Sequence, residues 1–224
     1  MQRIQESFHL WLKRPAEITK LLQDFDRFLL QRGGTPVSPS TPGAERYLFD
    51  PGTMRGSGGE GFWLGIFAPD GALPGELGEV FSHRFGRPAL HLSTFEDRLI
   101  QVLAYHRGEV IESHIATEEG RRGEIFPALA DLFACLGMSI LPVDSSLSVG
   151  ESLEGRLDRI TKAVGIGRWS RRFREAQRAL DRGGSDPWLL CAYRRNRRRE
   201  DWAFDDPSPH LEAISPPSGA SHLL

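Results

Sequence analysis

The stretch from Phe62 to Ala68 narrows the possible folds more than any other part of the chain. Its sequence, Phe-Trp-Leu-Gly-Ile-Phe-Ala, has no polar side chain at any position. A strand with one side in solvent alternates polar and apolar residues, whereas a strand buried on both faces does not. We therefore expect residues 62–68 to form a strand that is central in its sheet or covered on both faces.

Strand and helix periodicities alternate on both sides of this segment. Further strands are predicted at residues 7–13, 46–50 and 88–94, followed by a hairpin over 98–105 and 109–116 with a three-residue turn, His106-Arg107-Gly108, and a bulge. Helices are predicted after Pro15, after Pro74 and over 125–136. The order β-α-β-β-α-β-β-β-α indicates an α+β fold, with a mixed, largely antiparallel sheet and helices packed on it.

The composition of the chain changes after Pro142. Helices are predicted around Leu153–Val164 and 168–182, and an apolar run at 188–193 suggests a strand. Beyond Asp205 the chain holds four prolines and few apolar residues, a pattern typical of a mobile tail. We divide the chain into an α+β domain (1–145), a basic, mainly helical C-terminal segment (146–203) and a flexible tail (204–224).

Positive charge is concentrated in the C-terminal segment. Residues 156–199 contain fourteen basic and four acidic side chains, a net charge of +10, although the whole chain carries −2. This uneven distribution of charge bears on which partners the protein can bind rather than on which fold it adopts. The candidate residues for binding a nucleic acid or an acidic partner are Arg168, Arg171, Arg172, Arg174, Arg178, Arg194, Arg195, Arg197, Arg198 and Arg199.

Three interpretations of this basic segment stay open. It neutralises phosphates while Trp169, Phe173, Trp188 and Tyr193 stack on bases, it binds an acidic protein, or it lies against the acidic part of its own chain or in solvent. Arginine is favoured throughout, since only Lys13, Lys20 and Lys162 of the 28 basic residues are lysines. This preference is typical of a GC-rich bacterial genome and weakens any single arginine as an indication of function.

Two tryptophans are candidate anchors for a protein partner. Trp11 shares a strand face with His9 and Lys13, opposite the apolar face of residues 7–13, and Trp169 lies in the basic segment. Tryptophan is enriched at binding hot spots. If these rings are exposed, they are the first candidates for contact with a partner.

No catalytic, metal or cofactor site is selected by the sequence. It contains no nucleophile elbow, no paired metal ligands on a helix and no phosphate-binding motif at the glycine-rich stretch 52–61. Cys135 and Cys191 lie in apolar runs typical of buried thiols, and His91 and His114 could approach each other in a sheet. We assign no catalytic residue and no cofactor, and we favour a non-enzymatic role without excluding an enzyme.

The N-terminus lacks the apolar core of a signal peptide, and no apolar run reaches the length of a membrane span. We therefore expect a cytoplasmic protein that does not bind membranes.

The stretch from Leu77 to Ala116 resembles uncharacterised bacterial α+β proteins of the toxin-immunity type. The resemblance covers about 40 residues and rests on a helix, the strand Ala89-Leu-His-Leu, the break Thr94-Phe-Glu-Asp and the hairpin from Arg98. It implies a non-enzymatic module that binds another protein. Nucleic-acid binding through 156–199 is the alternative function.

Overall fold

The structure is a computed structural model and describes residues 4–50, 61–68, 73–95, 98–117, 130–136, 152–182 and 189–195. These residues form eight strands and five helices. The strands are β1 (Ile4–Leu12), β2 (Gly34–Pro36), β3 (Glu45–Asp50), β4 (Phe62–Ala68), β5 (Ala89–Phe95), β6 (Leu99–His106), β7 (Glu109–Thr117) and β8 (Leu189–Arg195). The helices are α1 (Ala16–Gln31), α2 (Leu77–Phe85), α3 (Ala130–Leu136), α4 (Leu153–Ala163) and α5 (Trp169–Asp181).

One sheet contains all eight strands, in the order β2-β8-β3-β4-β1-β5-β6-β7. The α+β class is therefore confirmed. Every neighbouring pair in this sheet is antiparallel, so the expectation of a mixed sheet is wrong for the described residues. The apolar stretch forms β4, which lies inside the sheet between β3 and β1 with all seven residues buried, as predicted.

Helices cover both faces of the sheet and create two cores. On one face, α1 and α2 pack against Phe8, Leu10 and Leu12 of β1. On the other face, α3, α4 and α5 pack against a core that includes Trp11 of β1 and Trp63 of β4. Because successive side chains of a strand point to opposite faces, β1 and β4 contribute to both cores.

Local hydrogen bonds explain where the helices begin. Pro15 precedes α1, and the Glu17 carboxylate accepts hydrogen bonds from the backbone N–H groups of Lys13 (2.8 Å) and Arg14 (3.2 Å). The Ser152 hydroxyl caps α4 by accepting from the N–H of Gly155 at 3.1 Å. Both arrangements supply partners for donors near a helix start that have no intrahelical acceptor.

The hairpin between β6 and β7 is tighter than the sequence predicts. His106 remains in β6 and pairs with Glu109, so only Arg107 and Gly108 form the turn. Both have positive φ angles, 55° and 93°, as a type I′ turn requires. The predicted bulge is present, but it lies where the register shifts between Ala104 and Tyr105 rather than at the turn.

The described parts of the C-terminal segment share the sheet and one core with residues of the predicted α+β domain. β8 lies between β2 and β3 in the sheet. The indole Nε1–H of Trp63 in β4 donates to the carbonyl oxygen of Val164, just after α4, at 2.7 Å. Long-range strand pairing and a shared core therefore join the two predicted units. The tail at 204–224 and the glycine-rich stretch 52–60 lie outside the described residues.

Candidate functional site

Helix α5 presents a row of arginines to solvent. We call this row, which includes the residues flanking the helix, the arginine ridge; it consists of Arg168, Arg171, Arg174, Arg178 and Arg182, all exposed. Their spacing of three or four residues puts them on one side of the helix. The opposite side is buried in the core and consists of Trp169, Phe173, Ala176 and Leu180. Because the apolar side of α5 is buried, the arginine ridge on its other side faces solvent.

The acidic side chains around the arginine ridge neutralise only part of its charge. Arg171, 74% exposed, pairs with Glu175 at 2.9 Å, and Arg174, 61% exposed, pairs with Glu154 of α4 at 2.8 Å. Within the described part of the chain, Arg168, Arg178 and Arg182 form no ion pair. The arginine ridge therefore keeps a positive surplus that faces solvent.

Two other basic residues of the segment point into the molecule. Arg172 lies 3.6 Å from the buried carboxylate of Asp50 in β3 and 3.4 Å from Glu175. Arg156 of α4 is also buried. The intramolecular interpretation therefore holds for Arg156, whereas Arg172, with 29% of its side chain exposed, is shared between these two carboxylates and the surface.

The predicted tryptophan anchors are wrong. Trp11 is 5% exposed and lies edge-on to the Trp63 ring, with centroids 5.3 Å apart, and Trp169 is 1% exposed because its side of α5 packs into the core and bonds to Ser7 of β1. Of the rings expected to stack on bases, Trp188 lies outside the described residues, and those of Trp169, Phe173 and Tyr193 are all buried as well. None of these aromatic faces is open to a partner in this fold.

The remaining candidate arginines lie at the C-terminal end of β8 and after it. Arg194 is exposed at the C-terminal end of that strand, opposite Thr35 of β2. Arg195 belongs to β8, but its side chain lies outside the described part, as do Arg197, Arg198 and Arg199 entirely. The structure therefore brings together the α5 arginines and leaves the second half of the predicted set unassigned.

A buried chain of hydrogen bonds fixes α5 to the sheet. The indole Nε1–H of Trp169 donates to Ser7 Oγ at 2.7 Å, and Ser7 Oγ lies 3.0 Å from His9 Nε2. Burial, with smaller contributions from His91 and Arg172, lowers the pKa of His9 to about 3. His9 is therefore neutral at physiological pH, and the chain of hydrogen bonds runs from Trp169 through Ser7 to His9.

The low pKa of His9 predicts acid sensitivity. An unfolded imidazole has a pKa near 6.5, so between about pH 6.5 and pH 3 the unfolded state binds a proton that the folded state lacks. Lowering the pH from 6.5 to 5 is expected to reduce the free energy of unfolding by about 2 kcal/mol through this group. Urea unfolding at several pH values in this range measures how steeply the free energy of unfolding falls with pH.

The matched control is His9→Gln, which keeps a hydrogen-bonding group beside Ser7. Between pH 6.5 and pH 5 its free energy of unfolding should fall by about 2 kcal/mol less than that of the unmodified chain. Glu6, whose pKa is raised by burial, contributes equally to both proteins. Identical slopes in the two proteins would show that His9 is not buried in its neutral form.

The other histidines and the cysteines do not form an active site in the described residues. His91 and His114 face opposite sides of the sheet, because His91 pairs with Leu103 whereas His114 pairs with the adjacent Val102, so the suggested approach is wrong.

Cys135 Sγ lies 3.3 Å from His106 Nδ1, but burial, aided by Asp131 and Glu112, raises the pKa of this thiol. A protonated thiol is a poor nucleophile. Among the described residues, no group of three or more His, Cys, Asp or Glu side chains is placed to hold a metal ion.

A small cleft opens beside the arginine ridge, where α4 and α5 begin. Its volume is about 220 Å³. The lining residues come from three strands and the two helices and are Gln5, Thr94, Ile100, Leu153, Glu154, Trp169, Ser170, Phe173 and Arg174. Sequence reasoning missed the cleft, since Gln5, Thr94 and Leu153 carry no local pattern that would connect them.

None of the helices in the described ranges is both long and apolar enough to span a membrane. Comparisons with protein-family models, with curated proteins and with solved structures found no match to this chain. The proposed function therefore depends on the geometry and charge of the described surface.

Proposed function

We propose that this chain is a non-enzymatic binding protein that holds an acidic surface of another protein against the arginine ridge of α5. The observation that carries the proposal is the positive surplus of the ridge, with Arg168, Arg178 and Arg182 exposed and without an ion pair in the described residues. Complementary charge accelerates association and selects among partners. The resemblance of Leu77–Ala116 to immunity-type proteins implies the same class of function.

The rigid attachment of α5 supports a binding role. Besides the Trp169–Ser7 hydrogen bond, Asp158 of α4 accepts from both the backbone N–H and the hydroxyl of Ser170, each at 2.7 Å. A helix held at its first turn by buried groups presents its arginines in one arrangement. A surface ordered in advance loses less conformational entropy when a partner binds.

The surroundings of the arginine ridge favour a protein over a nucleic acid. Within the described residues, the aromatic rings that would stack on bases, those of Trp169, Phe173 and Tyr193, are buried, and base stacking contributes much of single-strand affinity. Glu154 and Glu175 lie among the arginines and would repel a continuous row of phosphates. A protein surface with a few carboxylates, and cations of its own, fits this mixed pattern better.

The ridge variant Arg168→Gln/Arg171→Gln/Arg178→Gln tests the proposal. We expect it to lose a protein that the unmodified chain captures from the native host, with affinity reduced about tenfold or more, because three rim charges each contribute about 0.5–1 kcal/mol. Quantitative mass spectrometry after nuclease treatment measures the captured proteins. Its stability should stay within about 0.5 kcal/mol per substitution, since all three side chains are exposed.

The control variant Lys13→Gln/Arg14→Gln/Arg98→Gln removes the same charge from other exposed positions. It should retain the partner. Equal capture by both variants would contradict the proposal. Material that disappears with nuclease, together with steeply salt-dependent retention of duplex or single-stranded nucleic acid, would instead support the nucleic-acid alternative.

A further inference from the structure

The densest run of acidic side chains in the sequence follows β8. Residues 200–206, Glu-Asp-Trp-Ala-Phe-Asp-Asp, hold four carboxylates and no basic residue, and no other window of seven residues holds four acidic side chains. We call residues 200–206 the acidic segment; they lie outside the described residues. The chain therefore carries a ligand of the chemical class that the arginine ridge attracts.

The helix that carries the arginine ridge and the acidic segment have equal and opposite charges. Residues 168–182 contain six arginines and two carboxylates, a net charge of +4, and the acidic segment carries −4. Salt screens the attraction between exposed charges, so two such surfaces associate at low ionic strength and separate at high ionic strength. A contact between them would neutralise both.

Free positive charge lies at the two ends of the arginine ridge. Arg168 at one end, and Arg178 and Arg182 at the other, form no ion pair within the described ranges. The two arginines between them are already paired with carboxylates. At about 1.5 Å per helical residue, the free charges at the two ends are about 15–21 Å apart.

The acidic segment has the same order of charged and neutral positions. Its carboxylates stand in two pairs, at 200–201 and 205–206, with the neutral Trp202-Ala203-Phe204 between them. At about 3.4 Å per residue, an extended chain separates the two pairs by about 14–20 Å. Each pair of carboxylates can therefore meet one end of the ridge while the aromatic middle lies over the ion-paired arginines, whose guanidinium groups pack favourably on tryptophan rings.

The connection from β8 is long enough for this contact. The start of β8 pairs with the end of β3, where the carboxylate of Asp50 lies 3.6 Å from the guanidinium of Arg172 in α5. Arg195, at the other end of β8, lies about 20 Å along the strand from that point. The 11 residues that follow Arg195 end at Asp206 and span up to about 37 Å. The acidic segment therefore reaches the ridge while every described strand stays in place.

We propose that the acidic segment binds the arginine ridge of its own chain and covers the surface that the acidic partner has to reach. A segment tethered in this way has a local concentration in the millimolar range, so weak exposed ion pairs suffice to hold it. The contact requires this chain alone. Its consequence, competition between the acidic segment and the partner, rests on the proposed function, because the partner binds only the uncovered fraction of the ridge.

Photo-crosslinking in the full chain tests the contact. Ala203→p-benzoyl-L-phenylalanine places a photoreactive ring in the middle of the acidic segment, and mass spectrometry locates the residues to which it couples. We expect coupling within residues 168–182 of the same chain at about 0.05 M salt, and an about threefold lower yield at about 0.5 M, because the screening length becomes shorter. The ridge variant should also lower this yield about threefold, whereas the control variant with Lys13, Arg14 and Arg98 replaced should not.

Coupling to other parts of the chain, coupling between two chains, or the same yield in the ridge variant would overturn the inference. The full chain with Glu200→Gln/Asp201→Asn/Asp205→Asn/Asp206→Asn tests the consequence, since it should capture about threefold more of the partner. Ridge coupling combined with unchanged capture would support the contact and show that the partner binds elsewhere, which contradicts the proposed function. A thermal melt within a few degrees of the unmodified chain shows that each variant is folded.

Discussion

A chain that stops after Arg182 is expected to lose its cooperative unfolding transition, because it lacks β8. That strand lies between β2 and β3, so its removal leaves β2 without a neighbour in the described sheet and turns β3 into an edge. It also removes the buried Tyr193, whose hydroxyl donates to Asp26 of α1 at 2.8 Å. Burial of Tyr193 contributes about 1.5–3 kcal/mol, and the part-buried Leu190 and Cys191 and the strand pairing with β2 and β3 add to it, so the loss is a large share of the stability of a typical domain.

Urea unfolding followed by circular dichroism measures this effect. The matched control ends after Ala203, at the start of the predicted tail, and keeps every described strand and helix. We expect it to unfold cooperatively, with a midpoint close to that of the full chain. A shorter chain with the same midpoint and slope as the control would mean that β8 does not contribute to the stability of the sheet.

Replacing Trp169 by alanine is expected to lower the free energy of unfolding by about 4 kcal/mol, as large core truncations do. The Trp169 ring is fully buried, packs against Phe173 with ring centroids 5.2 Å apart, and donates its Nε1–H to Ser7. Its loss leaves a cavity between α5 and the sheet and leaves Ser7 without that donor.

Trp169→Phe separates the ring from the hydrogen bond. It keeps most of the apolar volume, so we expect a loss of about 1–2 kcal/mol, mainly from the donor that Ser7 Oγ loses and from the smaller ring. Arg171→Gln, on the exposed side of the same helix, should change the stability by less than about 0.5 kcal/mol. A Trp169→Ala protein as stable as Arg171→Gln would indicate that the tryptophan is exposed, as an interface anchor would be.

The strands and helices were predictable because their signals are local. Alternation over residues 7–13 placed β1, the helical spacing from Ile18 to Leu29 placed α1, and the apolar run at Phe62–Ala68 marked a strand covered on both faces. The short β2 was not predicted, since three residues in a Pro- and Gly-rich loop carry no periodicity. Its strand conformation depends on pairing with β8, more than 150 residues away.

Of the candidate site, only the positive charge could be predicted from the sequence. Composition identified the basic segment and the helix that carries it, and the 3.6-residue period separated the arginine ridge from the apolar side of α5. The same period did not distinguish Arg172 from its neighbours, because its inward direction is set by Asp50 on a distant strand. The cleft was invisible for a similar reason: Gln5, Thr94 and Leu153 meet only after the strands pair and the helices pack.

The sequence by itself determined most of the secondary structure, the faces of the strands and the concentration of positive charge, because these properties depend on residues close together in the chain. Only the tertiary structure decided that β4 lies between β3 and β1, that β8 joins the middle of the sheet, and that Trp11 and Trp169 are core residues rather than anchors. The physical reason is that the spacing of apolar residues shows which side of a helix or strand is apolar, but not which other helix or strand covers that side. Strand order and helix docking come from contacts between residues far apart in the chain, and those contacts created both the outward arginine ridge and the cleft beside it.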